Sequence, residues 1–234
     1  MGDSDVQFRL VTKLEDIRPL TFIAAESWAD DSIFAWIVPG RFRRPDHYLK
    51  LWYYILKTEF FTPGRHILIA ERHGVAGPTV LGFAVWEPPA ASPYREPLNR
   101  KKRLASRIRH LSIKCQISCL LIFTNFSKTC LLPKVHELEQ ERETRKTRDP
   151  PPDKKWYLHF LGVSPRFQRQ GIGRQLLHWG IDKADEEKMP CFLEASERGR
   201  PLYESAGFIT YDWQVLNGGE IKNSVMKREP QLLT

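Results

Sequence analysis

The chain has 234 residues, 41% of them hydrophobic, which suits one packed domain, or one domain with a sizeable insertion. A net charge of +8 attracts polyanions such as nucleic acid, acidic membranes or a phosphorylated cofactor, and does not choose among them. The longest apolar stretch, residues 117–123, is too short to span a bilayer, and Cys115, Cys119, Cys130 and Cys191 lack the matched pairs of a zinc site, so neither a membrane span nor a metal is expected. Residues 1–5 are acidic and no long apolar run follows them, so the expected setting is intracellular and reducing, cytoplasmic or nuclear.

Residues 8–11 read as a short strand. Ile17, Leu20, Ile23 and Ala24 then recur at helical spacing toward Trp28, and Pro19 marks where that helix should begin. Residues 32–38 are apolar and stop at the turn Pro39-Gly40. A second helix is expected over 46–60, with Leu49, Trp52, Tyr53 and Leu56 on one stripe. That stripe assigns Trp52 and Tyr53 to the core, while Trp28, Phe34 and Trp36 suit either a core or the wall of an enclosed site. Strands at 66–72 and 80–86 follow, joined as a hairpin by the loop 73–78.

Residues 90–155 differ in character and are expected to form a basic, largely helical insertion within a single domain covering 1–234. The insertion opens with Arg100, Lys101, Lys102, Arg103, Arg107 and Arg109. It continues through an apolar stretch at 120–132 and a charged helix at 137–148, and ends in the stiff connector Pro150-Pro151-Pro152. A nearly continuous apolar strand comes next, at 156–163. A helix over 173–188 then repeats Leu176, Leu177, Gly180, Ile181 and Ala184 at helical spacing. A strand at 191–195 precedes a short helix at 201–206, which Gly207 stops. Strands at 208–215 and 220–227 pair across Asn217, Gly218 and Gly219.

Between strand 156–163 and its helix lies the turn Gln168-Arg169-Gln170-Gly171-Ile172-Gly173-Arg174. Gly171 and Gly173 let the backbone come close to a ligand. The first N–H groups of the helix have no intrahelical partner, the helix dipole adds positive charge there, and Arg169 and Arg174 add full charge. The result is an anion cradle that a diphosphate fits. A Walker loop needs Lys and Ser or Thr after Gly173, where Arg174 and Gln175 stand. A Rossmann fingerprint needs a glycine in place of Leu176, although Glu194 falls where its acidic residue belongs. By itself the turn is also compatible with a plain strand-turn-helix.

The stretch from Leu161 to Leu177 resembles the central motif of the GCN5-related N-acetyltransferase (GNAT) superfamily, Gln/Arg-x-x-Gly-x-Gly/Ala after a strand ending in Val and a Pro. Gln168, Gly171 and Gly173 match it. Pro201-Leu202-Tyr203, followed by Gly207-Phe208, resembles the Leu-Tyr-x-x-x-Gly-Phe element that comes next in the family. Together the motifs cover residues 156–208. The half before them agrees in its order of strand, two helices and hairpin. Tyr157-Leu158-His159-Phe160-Leu161-Gly162-Val163 is similar to the His-x-His-x-Leu-Ala-Val strand of the arylalkylamine N-acetyltransferase branch, with His159 on the second histidine and Tyr157 in place of the first. The chain departs from the family at Ser196, where an Asn often stands seven residues before the tyrosine, and at Gly199, where an Ala does.

The resemblance implies an α+β, three-layer fold: a mixed, mostly antiparallel central sheet flanked by helices, with the helical insertion just before the cofactor-binding strand. It implies acetyl-CoA as co-substrate and direct transfer of acetyl to an amine in a ternary complex. A small-molecule acceptor and a monomer or homodimer are expected. The pantetheine arm would lie where strand 156–163 splays from its neighbour, bonded by the main chain of Leu161 and Val163. Gly162, inside a bulky strand, independently suggests a bulge or a close backbone approach. Gln168, Arg169, Gln170, Gly171, Ile172, Gly173 and Arg174 would hold the pyrophosphate, and Ser196 would occupy the place of the absent Asn contact.

Tyr203 matches the family's tyrosine that protonates the departing thiolate, a suitable task for a phenol with a pKa of about 10. The competing reading is a core tyrosine. His159 is the candidate general base, with a hydrogen-bonded structural histidine as the alternative. Glu59 and Glu87 are reserve bases with no motif behind them. The basic run reads first as a solvated helix face, and otherwise as a surface for nucleic acid, a membrane or an import receptor. It lacks the interleaved aromatics that stack on bases, which speaks against nucleic acid. The rival function is a GNAT-fold binding module without catalysis that contacts nucleic acid or protein through the insertion.

Overall fold

The computed structural model describes residues 6–75, 77–95, 104–106, 108–113, 115–116, 130–146, 151 and 154–231. Its strands are β1 Val6–Leu10, β2 His66–Gly74, β3 Gly77–Glu87, β4 Trp156–Val163, β5 Cys191–Ala195, β6 Ile209–Leu216 and β7 Ile221–Arg228. They make one sheet in the order β1-β2-β3-β4-β5-β7-β6. Every neighbouring pair is antiparallel except β4 and β5. The sheet is therefore mixed and mostly antiparallel, as the family resemblance implies.

Alternation along the central strands builds a layer on each face. Ile67, Ile69, Phe83 and Val85 pack with helices α1 Ile17–Ser27, α2 Ser32–Ile37 and α3 Pro45–Phe61. Val135 and Leu138 of α4, Leu132–Lys146, join the same cluster. Leu68, Ala70, Ala84 and Trp86 point the other way, onto Leu176, Leu177, Ile181 and Ala184 of α5, Ile172–Glu186. The last helix, α6 Arg200–Ser205, brings Tyr203 into that second cluster.

Most sequence boundaries hold within two residues, and the larger departures have local causes. Helix α1 starts at Ile17, two residues before Pro19. Pro19 thus sits in the first turn, where its missing N–H has no partner to lose. Residues 32–38 become a short helix because Asp31 caps it, its Oδ1 accepting from Ile33 N at 3.0 Å and Phe34 N at 3.1 Å. The hairpin is tighter than the loop 73–78, since His73 pairs with Pro78 and Gly74 with Gly77. In the insertion, α4 begins at Leu132 rather than 137, and residues 104–106, 108–113 and 115–116 are helical. The remainder of the apolar stretch, 120–129, lies outside the described residues, as does Cys119. Cys130 and Cys191 are buried, and Cys115 is exposed. Trp52 is fully buried, whereas Tyr53 is half-buried at the margin of the core. Among the described residues no helix is long and apolar enough to cross a membrane.

Gly180 shows how tightly α5 seats on the sheet. A Cβ there would collide with the indole of Trp86, whose Nε1 donates to Leu176 O at 3.3 Å. In an exposed helix Gly→Ala gains about 1 kcal/mol. Here the overpacking of a fully buried indole outweighs that gain. Gly180→Ala is expected to lose ~1–3 kcal/mol in urea unfolding. An unchanged or raised midpoint would show that the indole can shift aside.

Candidate active site

Strands β4 and β5 pair only through Trp156–Cys191, Tyr157–Phe192 and Leu158–Leu193. Beyond Leu158, β4 continues along β3, while Glu194 and Ala195 of β5 pair with β7. The two strands separate and leave their facing main-chain groups without a ladder. Ser164 N donates to Leu81 O at 2.9 Å, so alternation turns Leu161 and Val163 toward the gap. The carbonyl of Val163 already accepts from Ser27 Oγ at 3.2 Å and Gln168 Nε2 at 3.0 Å.

Gly162 is required by close approach, not by a bulge. A Cβ on Gly162 would lie 2.9 Å from the Trp28 ring. The register irregularity of β4 falls three residues earlier: Val85 pairs with Phe160 and Trp86 with Leu158, so His159 is the extra residue. The bulge re-aims the candidate base.

The turn closes the gap at one end. Gly171 caps α5 with φ 78°, and Arg169 also has positive φ, at 63°. A side chain is costly in that conformation, which accounts for Gly171. No side chain caps α5. Its first-turn N–H groups therefore remain free for an anion. A Cβ on Gly173 would meet Val163, Leu161 and Leu202 at 3.5–3.6 Å, ordinary contact. The protein alone does not demand a glycine there.

One cleft of ≈ 1970 Å³ joins these features. Leu161, Gly162, Val163, Gln168, Arg169, Gly171, Ile172, Gly173, Arg174, Ser196, Tyr203 and His159 all line it. Gln170 does not. Two of the lining residues also hold protein structure: Gln168 ties the turn to β4, and Ser196 Oγ accepts from Gly199 N at 3.2 Å ahead of α6. Tyr203 is buried, and burial lifts its phenol well above the ordinary value. The donor-rich helix end, the two arginines and the open gap suit a long anionic thioester cofactor such as acetyl-CoA.

At the other end of the cleft His159 Nε2 lies 3.0 Å from Glu87 Oε2. Arg65 links Glu87 and Glu59, at 3.2 Å from each, and Arg95 stands 3.6 Å from Glu87. Burial would raise the Glu87 carboxyl, but His159, Arg65 and Arg95 outweigh it and hold it down at about 2. Burial and then Arg65 lower His159 below its ordinary value, against the opposing pull of Glu87. A neutral imidazole facing an ionised carboxylate must carry its proton on Nε2 to make that bond. Nδ1 is left as the nitrogen able to accept a proton.

Residues 138–208, which contain the gap, the turn and Tyr203, match the model of the Acetyltransferase (GNAT) family. Over that stretch the chain is similar to the GNAT family. Over 54 residues the chain is 43% identical to an uncharacterized N-acetyltransferase of Schizosaccharomyces pombe, covering 23% of each chain. A second uncharacterized N-acetyltransferase of that yeast is 31% identical over 96 residues, 40% of this chain and 38% of its own. The match thus spans less than two-fifths of either relative. At the level of the fold, a Corynebacterium glutamicum structure described as histone acetyltransferase HPA2 and related acetyltransferase superposes with a TM-score of 0.61 at 20% identity, over 98% of both chains.

Beside the cleft lies a cluster that sequence reasoning missed. Glu194, at the end of β5, receives Tyr157 Oη at 3.1 Å, Arg142 at 2.7 Å and Arg145. Arg145 also pairs with Glu141 at 3.0 Å, and Gln214 Nε2 reaches Glu141 at 3.0 Å. Burial would raise Glu194, but Arg142 and Arg145 overcome it and keep it low. Burial and Glu194 push the Tyr157 phenol up. Tyr157, Arg142, Arg145 and Glu194 all line the cleft, so α4 of the insertion is moored at the β4–β5 gap by charge. The only local signal was the spacing of Arg142 and Arg145, which shares one helix face.

Proposed function

We propose that the protein transfers an acetyl group from acetyl-CoA to a small-molecule amine by direct attack in a ternary complex. The observation that carries this reading is the single cleft that joins the N-terminus of α5, the β4–β5 gap and the His159–Glu87 pair. An anion site, an extended slot and a proton acceptor follow one another in the order of pyrophosphate, pantetheine and acceptor nitrogen. Trp28, Phe34, Leu51 and Ile55 line the same cleft and supply an apolar wall for the body of the amine.

When bound, acetyl-CoA supplies an acyl thioester whose carbonyl carbon is open to a nitrogen nucleophile. The first-turn N–H groups of α5, with Arg169 and Arg174, hold the pyrophosphate. The main-chain groups of Leu161 and the N–H of Val163 bond the arm. His159 Nδ1 takes the proton that an acceptor ammonium must lose before its nitrogen can attack. Glu87 stabilises the imidazolium so formed through Nε2–H. Tyr203 faces the departing sulfur. Because burial raises its phenol far above a thiol's pKa of about 8.5, Tyr203 donates a hydrogen bond to the thiolate rather than surrendering its proton.

Calorimetric titration with acetyl-CoA tests the first half of this reading, and a panel of amines followed by thiol release tests the second. No heat of binding at high micromolar acetyl-CoA would sink the proposal and leave a binding module. Tyr203→Phe is expected to lower kcat about 10–100-fold, the kinetic equivalent of losing a ~1.5–3 kcal/mol hydrogen bond to an ionised group, with acetyl-CoA affinity retained. Equal kcat in the variant would remove Tyr203 from the reaction.

A further inference from the structure

The arm of the cleft that would take the acceptor has charged groups at both ends, and the ends are not alike. At one end stands the His159–Glu87 pair. The Tyr157 ring lies beside His159, with ring centroids 4.6 Å apart, and its Oη reaches Glu194 at 3.1 Å. Glu194 is in turn held by Arg142 and Arg145. Arg142 thus ends a row of polar contacts that starts at the candidate base. The apolar side chains of Phe34, Leu51 and Leu138 line the same cleft.

Arg142 differs from its neighbours in the donors it has left. Arg65 is divided between Glu59 and Glu87, and Arg145 between Glu141 and Glu194. Arg142 donates from Nη2 to Glu194 Oε2 at 2.7 Å, and its other N–H groups donate to no described residue. Its side chain is 48% exposed and lines the cleft. A guanidinium carries five N–H donors in a planar fork that matches a carboxylate. The carboxylates of this arm are the reverse case. Among the described residues Glu59, Glu87 and Glu194 each face an arginine already. The cleft's remaining acids, Glu26, Asp30, Asp31 and Glu197, belong to the α1–α2 and β5–α6 segments instead. A second ammonium entering the arm would find no carboxylate free of an arginine, and would meet Arg142.

We propose that the acceptor is an amine that carries a carboxylate at its far end, and that Arg142 binds that carboxylate. The inference rests on the transferase reading and names the class of amine which that reading leaves open. The amine nitrogen sits at His159, an apolar spacer runs along Phe34, Leu51 and Leu138, and the carboxylate takes the remaining donors of Arg142. Glu194 fixes the guanidinium from its Nη2 end, so little freedom is lost when the acceptor binds. A polyamine or a lysine-rich tail would bring a positive charge to the same place.

Thiol release from acetyl-CoA with amines that differ only in their far end tests the proposal. The set is hexylamine, hexane-1,6-diamine and 6-aminohexanoate, each also as its eight-carbon homologue. At one length or both, kcat/KM is expected to be highest for the amino acid and about tenfold or more lower for the diamine. Arg142→Gln should lower kcat/KM for the amino acid about 10–100-fold more than for the alkylamine, chiefly through KM, as one charge-assisted hydrogen bond is lost. Arg142→Lys should recover part of that preference, because it keeps the charge without the fork. A general loss of fold would instead lower all the amines together. Two results overturn the proposal: a native preference for the diamine or the alkylamine, and a preference for the amino acid that survives Arg142→Gln. No release with any of the six while calorimetry still shows acetyl-CoA bound removes this acceptor class and leaves the cofactor half of the reading standing. Absence of acetyl-CoA binding removes both.

Discussion

Replacing His159 with alanine should lower kcat about 10²–10⁴-fold, the usual contribution of a placed general base, and leave acetyl-CoA affinity in place. The pH profile carries the sharper test. The base works only when neutral, and burial with Arg65 sets His159 below its ordinary value of 6.5. Activity should therefore persist below pH 6.5 before the acid limb falls. Glu87 favours the protonated ring, so Glu87→Gln should move that limb to still lower pH and reduce kcat through a weaker base. Arg65→Met removes a positive charge that disfavours the imidazolium, so it should move the limb upward. A limb that stays put in Glu87→Gln would mean that another group titrates. Retained turnover in His159→Ala would return His159 to a structural role.

How much of this could be read along the chain depended on distance in sequence. The turn from Gln168 to Arg174 and the segment around Tyr203 are contiguous, so their chemistry was legible before any fold. Strand β4 and its successor were readable to the residue because a buried strand is a continuous apolar run. The pairing of His159 with Glu87 joins residues 72 apart, and that of Arg145 with Glu194 joins residues 49 apart, across elements whose adjacency only the sheet order defines. Gly162 was legible as a special position but not for the right reason. Its smallness serves Trp28, a contact from α1's C-terminal end, whereas the bulge at His159 leaves no mark on composition. Gln170 belongs to the motif by position, yet the structure keeps it off the cleft wall.

Glu194→Gln should cost ~1.5–3 kcal/mol of stability in urea unfolding, since it removes the carboxylate that bonds buried Arg145 and half-exposed Arg142, while Arg145 keeps Glu141. The side chains of Arg145 and Glu194 are 3% and 12% exposed, so solvent does little to compensate. Glutamine keeps the shape and still accepts from Tyr157 Oη, which confines the change to charge. The pH dependence has a definite sign. Glu194 is held below its ordinary value, so its contribution is present above the unfolded carboxylate's pKa and is lost as pH falls through the lower folded one. The gap between native chain and variant should thus be largest near neutrality and shrink in acid. A loss under about 1 kcal/mol would place the cluster with solvated surface pairs instead. Function should follow the same mooring. Helix α4 contributes Val135, Leu138, Arg142 and Arg145 to the cleft, while the α5 turn that faces the pyrophosphate is built from other elements. Loosening α4 should therefore raise KM for the amine and spare acetyl-CoA affinity. That split distinguishes a moving wall from a general loss of fold, which would weaken both ligands together.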